Sequence, residues 1–298
     1  MLRMPFFACA AALVLSVGCT STPADPDTGG GDAGESSTGG SNAAGGKGSG
    51  VERCPAGTNP PGKAKPVDLG TVSGQLIDEQ GDPTSAGLVQ VCGKDICINA
   101  RVGSNGKLAQ VVDDTLDTPA CKFGDGLTWG KLAIAIESGD TDLGTLTTVR
   151  LPDFSESVAF VPGTSVSSGG VTLQLAVEAR VEVDFLTYED EAQQGFRAAP
   201  LTEPALTQLN QDFVAGFVLS PVETRICPSP ALSLENTANL EPGTALELFM
   251  LGLDVAEHFA PYGQWHSVGE GQVSEDGATL DFPNGVPVLT AIAVRVLD

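Results

Sequence analysis

Between residues 171 and 185 the chain alternates without a slip. Val171, Leu173, Leu175, Val177, Ala179, Val181, Val183 and Phe185 occupy one phase, and Thr172, Gln174, Glu178, Arg180, Glu182 and Asp184 the other. A period of two turns one face of a strand toward a core and the other toward water. The stretch is long for a globular strand, so the pattern predicts a strand that bends or passes from one sheet to another. Shorter apolar runs over 71–77, 88–92, 131–136, 145–151, 244–253 and 288–296 predict further strands. Turn chemistry separates them, at Gly81-Asp82-Pro83, Ser104-Asn105-Gly106, Ser138-Gly139-Asp140, Glu275-Asp276-Gly277 and Asn284-Gly285. Helical periodicity holds across no comparable window. The fold class is therefore all-β, as two consecutive β-sandwich domains over 51–152 and 153–298.

The first fifty residues follow different rules. Arg3 precedes an apolar run from Phe6 to Val17, which has the length of a signal peptide and is too short to span a bilayer. Residues 20–50 hold ten Gly and no Val, Ile, Leu, Met, Phe, Tyr or Trp, so they have nothing to bury against their ordering entropy. They predict a disordered linker with an r.m.s. span of roughly 30 Å. Between the two, Leu15-Ser16-Val17-Gly18-Cys19 resembles a bacterial lipobox, with Ser16 where that family commonly carries Leu. The resemblance implies a signal peptide over 1–18, a lipidated Cys19 and a linker over 19–50. Three acyl chains hold a protein on a membrane far more firmly than one. Thr20 after the cysteine implies sorting to the outer membrane, facing either the cell surface or, as the alternative, the periplasm.

Charge narrows the partners. A formal net charge of −23 repels nucleic acid and anionic headgroups, and no basic patch breaks the field. Cysteines narrow the compartment. Cys54, Cys92, Cys97, Cys121 and Cys227 follow the lipobox, none in a zinc-like pair, and an exported chain meets oxidant, so disulfides are expected with one thiol left over. In Val91-Cys92-Gly93-Lys94-Asp95-Ile96-Cys97, a two-residue turn at Lys94-Asp95 makes Gly93 and Ile96 the hydrogen-bonded closing pair. Cys92 and Cys97 then face each other at the closer, non-hydrogen-bonded site, within bridging range.

Two further resemblances concern the folded part. Gly70 to Asp78, Gly81-Asp82-Pro83, Gly87 to Val91, Ser104 to Leu108 and Asp142 to Leu146 together resemble a carboxypeptidase regulatory-like, transthyretin-like domain. Trp129-Gly130-Lys131 stands where that family carries a Pro-Gly-Tyr segment. The resemblance implies a non-catalytic scaffold or binding module, an immunoglobulin- or transthyretin-like sandwich without a cofactor. Over 241–282, Glu241-Pro242-Gly243-Thr244, then Gly263-Gln264-Trp265-His266 and Glu275-Asp276-Gly277 resemble repeated surface modules of large exported proteins from gliding, predatory-type bacteria.

Motifs for chemistry are sparse. His258 and His266 lie eight apart without a zinc-binding frame, and Gly163-Thr164-Ser165-Val166-Ser167 lacks the second Gly of a nucleophile elbow. No catalytic residue and no metal ligand is therefore assigned. Phe259, Tyr262, Trp265 and His266 cluster in a chain with only 5% aromatics, flanked by Pro261 and Gly263. Tyr262, Trp265 and His266 are the candidate binding surface, because aromatic loops offer contact area at small entropic cost. The competing reading starts a strand at Trp265 and packs it into the core with Phe259 beside it. The functional expectation is a non-enzymatic, surface-displayed outer-membrane lipoprotein for adhesion, envelope interaction or scaffolding. Its partners are the membrane, through the anchor, and a protein or glycan at the cell surface. The alternatives are a glycan- or calcium-binding lipoprotein and, further off, a glycosidase built on a carboxylate pair.

Overall fold

The computed structural model describes residues 53–57, 65–253 and 259–297. The expected signal peptide, the expected lipidation site Cys19, the expected linker and His258 lie outside the described residues. Seven strands build the first half: β1 (Pro66–Ile77), β2 (Val89–Cys92), β3 (Cys97–Asn99), β4 (Lys107–Asp117), β5 (Ala120–Phe123), β6 (Leu132–Ala135) and β7 (Gly139–Thr147). They form two sheets, ordered β4-β1-β7 and β3-β2-β5-β6, with β1 antiparallel to β4 and parallel to β7. Leu69, Val72 and Leu76 of β1 meet Val91, Phe123 and Leu132 of the opposite sheet in one buried cluster.

The second half supplies β8 (Ser165–Ser168), β9 (Val171–Gln174), β10 (Arg180–Glu182), β11 (Arg197–Pro200), β12 (Ala215–Ser220) and β13 (Arg225–Cys227). It continues with β14 (Ala231–Glu235), β15 (Ala245–Leu251), β16 (Trp265–Val273), β17 (Thr279–Phe282) and β18 (Ile292–Val296). The one α-helix among the described residues is the short α1 (Glu203–Thr207). Nine strands join in the order β11-β12-β18-β15-β16-β17-β14-β9-β8, while β10 and β13 pair apart as a ribbon. The sheet curls until its two ends nearly meet: the Ser168 hydroxyl on β8 accepts the Ala198 N–H of β11 at 3.1 Å. Gly169 makes that approach possible, because at its φ of +52° a side chain would collide with the Ala198 carbonyl.

The predicted strand over 171–185 bends and passes between sheets, as its length demanded, but its alternation does not survive as one strand. Hydrogen bonding to β14 stops at Gln174, a turn closes with the Ala179 N–H on the Ala176 carbonyl at 3.0 Å, and the chain re-enters as β10 against β13. Val177 and Phe185, in the apolar phase, are exposed in consequence.

The core does not divide where the chain passes from one half to the other near 152/153. Leu201, Leu209, Phe213, Val218, Val222, Phe249 and Leu251 belong to the same cluster as Val72, Phe123 and Leu132. Each such side chain contributes about 1.5–3 kcal/mol when buried, so the apolar seam alone holds the halves as one body. Residues 51–298 accordingly form a single compact unit. Strands at the seam are buried on both faces. Leu246, Leu248 and Met250 of β15 point into the curled sheet's own core, while Phe249 and Leu251 point into the first sandwich.

A polar pin crosses the same seam. Arg197, 1% exposed, donates from Nη1 to the carbonyls of Leu127 (2.7 Å) and Pro152 (3.0 Å) and from Nη2 to the Ser220 hydroxyl (3.1 Å). Its guanidinium also stacks 4.1 Å from the Phe154 ring centroid. The Tyr188 hydroxyl accepts the Val222 N–H at 2.7 Å, and Ser220 donates to the Gly126 carbonyl at 2.8 Å. Gly130 lets the 124–130 loop lie flush on β12, since a side chain there would collide with Val218.

Two disulfides close the fold. Cys92 pairs with Cys97 across the hairpin, where the Gly93 N–H donates to the Ile96 carbonyl at 2.8 Å, in the geometry expected from the turn. Cys54 pairs with Cys227 over a sequence separation of 173 residues. Cys121 is the leftover thiol, fully buried, with burial pushing its pKa up to about 12. Two measurements check this arrangement. Arg197→Met strands the Leu127 and Pro152 carbonyls at roughly 1–3 kcal/mol each, while Ser220 keeps its bond to Gly126, so thermal melting should show a loss of about 2 kcal/mol or more. Peptide mapping after alkylation without reductant should find Cys121 unmodified in the native protein and modified in denaturant.

Candidate functional site

The loop that carries the expected aromatic patch is clamped by backbone before any side chain acts. Gly252 and Tyr262 form a parallel bridge just past β15, with the Gly263 N–H on the Gly252 carbonyl at 2.8 Å and the Gly252 N–H on the Gln264 carbonyl at 2.9 Å. That clamp draws Tyr262 inward to 5% exposure, with the buried Lys122 ammonium 5.2 Å from its ring centroid. The expectation of an exposed Tyr262 is thereby corrected. Trp265 is half-buried at the start of β16 and meets Phe213 edge-on at 5.2 Å, against the first core. Phe259 is also half-buried but packs on the other core, so the two rings are not neighbours in one cluster. His266, next in β16, is partly exposed. Consecutive strand residues face opposite sides, so Trp265 and His266 do not share a surface.

A different surface has the shape of a site. The nine-stranded sheet is covered by the first sandwich over β12, β18 and β15, but its other half keeps a wet outer face. Strand β14 reads exposed, buried, intermediate, buried, exposed, so Ala231, Ser233 and Glu235 point outward; Thr172 and Gln174 of β9 and Thr279 and Asp281 of β17 do the same. Register then aligns them. Ser167 lies opposite Thr172, Thr172 opposite Ser233, Ser233 opposite Asp281, and Asp281 opposite Gln272. Five strands at the usual spacing make a polar row of roughly 19 Å.

The row lies in relief. Pairing of β16 with β17 lasts only for Gln272 with Asp281 and Val273 with Leu280, after which β16 stays with β15. Beyond the last pair a groove of about 500 Å³ opens, walled by Ser233, Glu270, Gln272, Asp281 and Pro283. A second groove of about 420 Å³ runs on the other side of Ser233, walled by Ser167, Thr172, Glu235 and Thr279. No Lys or Arg lines either one. The walls offer hydroxyls that donate and accept, one amide, and three carboxylates that only accept. Ser167 and Thr172 hydroxyls already lie 2.8 Å apart, which orients the end of the row.

Other candidate chemistry is dispersed. Among the described residues no three His, Cys, Asp or Glu side chains come together as metal ligands. Glu79 is a carboxyl held above its usual range, because partial desolvation of its carboxylate outweighs the hydrogen bond it accepts from the Arg150 N–H, although the residue as a whole is exposed in the turn after β1; it lines neither groove. Among the described residues no helix is long and apolar enough to cross a membrane.

No family model and no curated protein matches the chain. Among solved structures, one described as a "putative carbohydrate binding protein" from Bacteroides uniformis aligns at 11% identity over 78% of this chain and 100% of its own, with a TM-score of 0.23. A DUF3823 family protein from Parabacteroides merdae aligns at 10% identity over 77% of this chain and 98% of its own, with a TM-score of 0.19. At these scores neither likeness bears on the argument. The burial of Tyr262 does, and it has a direct check: Tyr262→Ala should cost about 3 kcal/mol in denaturant unfolding, as a core ring does and a surface ring does not.

Proposed function

We propose that the chain is a non-enzymatic outer-membrane lipoprotein, anchored through Cys19 and displayed at the cell surface, whose folded body binds an envelope or extracellular partner. The observation that carries this reading is the Cys54–Cys227 disulfide. The linker ends at residue 50, so Cys54 is where its pull would enter the body, and that entry point is stapled covalently to β13. In the chain-entropy account, closing a loop of this length contributes about 5 kcal/mol, against about 2 kcal/mol for the short Cys92–Cys97 loop. The larger contribution therefore sits where a tethered module is loaded. Both disulfides suit an oxidising compartment, which supports reading Leu15 to Cys19 as a lipobox. Two facing sheets of three and four strands over 66–147 support the carboxypeptidase regulatory-like reading of the first half.

Protease shaving of intact cells, wild type beside Cys19→Ala, tests the anchor and its direction together. Wild type should be digested from outside while the mutant is released in soluble form. Protection of the wild type until the outer membrane is opened would reverse the orientation, and an unreleased mutant would remove the lipid anchor.

A further inference from the structure

We infer that the polar row Ser167, Thr172, Ser233, Asp281 and Gln272, with its two flanking grooves, is a binding site for a neutral polysaccharide lying across the strands. The inference rests on the reading of the body as a binding module and names the ligand class and the residues. Four observations lead to it.

The first is coverage. The strands of this sheet divide into those buried on both faces and those with an open outer face, and the row occupies the open part. The second is composition. On that face β8, β9, β14 and β17 present Ser165, Ser167, Thr172, Gln174, Ser233, Glu235, Thr279 and Asp281, without a large apolar side chain. A partner with large apolar anchors finds no matching large side chain on these four strands, whereas a polyhydroxylated ligand meets donors and acceptors at each strand crossing and can lay its ring faces on Ala231 and Pro283.

Third, charge selects among polar ligands. Glu235, Glu270 and Asp281 wall the grooves, whose lining holds no Lys or Arg, and the nearby Arg295 is paired with Glu247, in a molecule of net charge −23. A sulfated, phosphorylated or uronic-acid polymer would bring like charge onto this face, while a neutral sugar hydroxyl can donate to each carboxylate in a charge-assisted hydrogen bond. Fourth, the ends of the sheet are crowded against each other. Its terminal strands β8 and β11 approach closely, with the Ala198 N–H donating to the Ser168 hydroxyl, which obstructs the edge that strand addition requires. Recognition is left to the face. A row of roughly 19 Å accommodates several linked sugar rings, and the adjoining grooves meeting at Ser233 give the polymer a continuous path.

The test is affinity electrophoresis of the full mature lipoprotein in a polyoxyethylene detergent, through gels containing an α-glucan, a β-glucan, a mannan, a xylan or polygalacturonate. At least one of the four neutral polymers should retard the wild type, and polygalacturonate should not. Asp281→Asn with Gln272→Ala should weaken that retardation tenfold or more, and Ser233→Ala several-fold, with melting temperatures near wild type showing that each variant folds. Failure of every neutral polymer, retardation by polygalacturonate alone, or equal retardation of folded wild type and double variant would overturn the site. Gels that fail while shaving places the body outside the cell would sink this inference and leave the anchored-module reading standing.

Discussion

A single buried guanidinium sets how the two halves of this protein meet. Apolar contacts across the seam are plentiful and supply most of its stability, yet they are tolerant of small slides, as volume-matched contacts are. Arg197 is not tolerant. Its fork must reach Leu127 and Pro152 from the first half and Ser220 from β12 at once, with Phe154 stacked on its face. Burial costs the charge its hydration, and burial accordingly pulls its pKa below the ordinary value. With all three acceptors in place much of that cost is offset, although Nε stays buried without a partner, whereas a misaligned seam would leave Nη1 and Nη2 unpaired as well.

What the aligned seam does is divide the nine-stranded sheet into a covered and an open half. On the covered half, β12 is buried at every position, β15 over 248–251 and β18 over 292–294. On the open half, alternate residues are wet. The polar row is consequently a product of the seam: had the first sandwich docked one strand pair further along, Ser233 and Asp281 would be buried without partners, which an acidic side chain does not survive cheaply. Closure of the sheet through Ser168 and Gly169 completes the arrangement by bringing the far edge round to β11.

Much of this was legible in the chain, and the failures have physical causes. Val171, Leu173 and Leu175 alternate and are buried as alternation demands, but past Gln174 the same phase continues through a turn, because period two records which residues are apolar and not where hydrogen bonding stops. Strand β12, Ala-Gly-Phe-Val-Leu-Ser, carries no alternation because both its faces are covered, so periodicity could not find it. Cys92–Cys97 followed from a two-residue turn; Cys54–Cys227 joins elements 173 residues apart, and nothing local marks it. Tyr262 was misplaced for a similar reason: Pro261 and Gly263 advertise a loop, while its burial is decided by a bridge to Gly252. The polar row was invisible as a site, since its members are ordinary Ser, Thr, Asp and Gln gathered from five strands by register.

The staple and the row are also close along the chain, so the proposed anchor and the proposed binding face would be joined by a short path. Cys227 ends β13, and β14, which carries Ser233, begins at Ala231 after Pro228-Ser229-Pro230. Tension between a membrane anchor and a ligand on the row would run from Cys54 through the disulfide to Cys227 and reach β14 within four residues. The other route, from Cys54 along the backbone, would enter β1 at Pro66 and load the first sandwich. With such an anchor, the covalent shortcut would spare that sandwich most of the load and leave it as the platform that covers β12, β18 and β15. The strand that would bear the load, β14, is hydrogen-bonded on both sides, to β17 and to β9, so pulling it free means breaking two ladders.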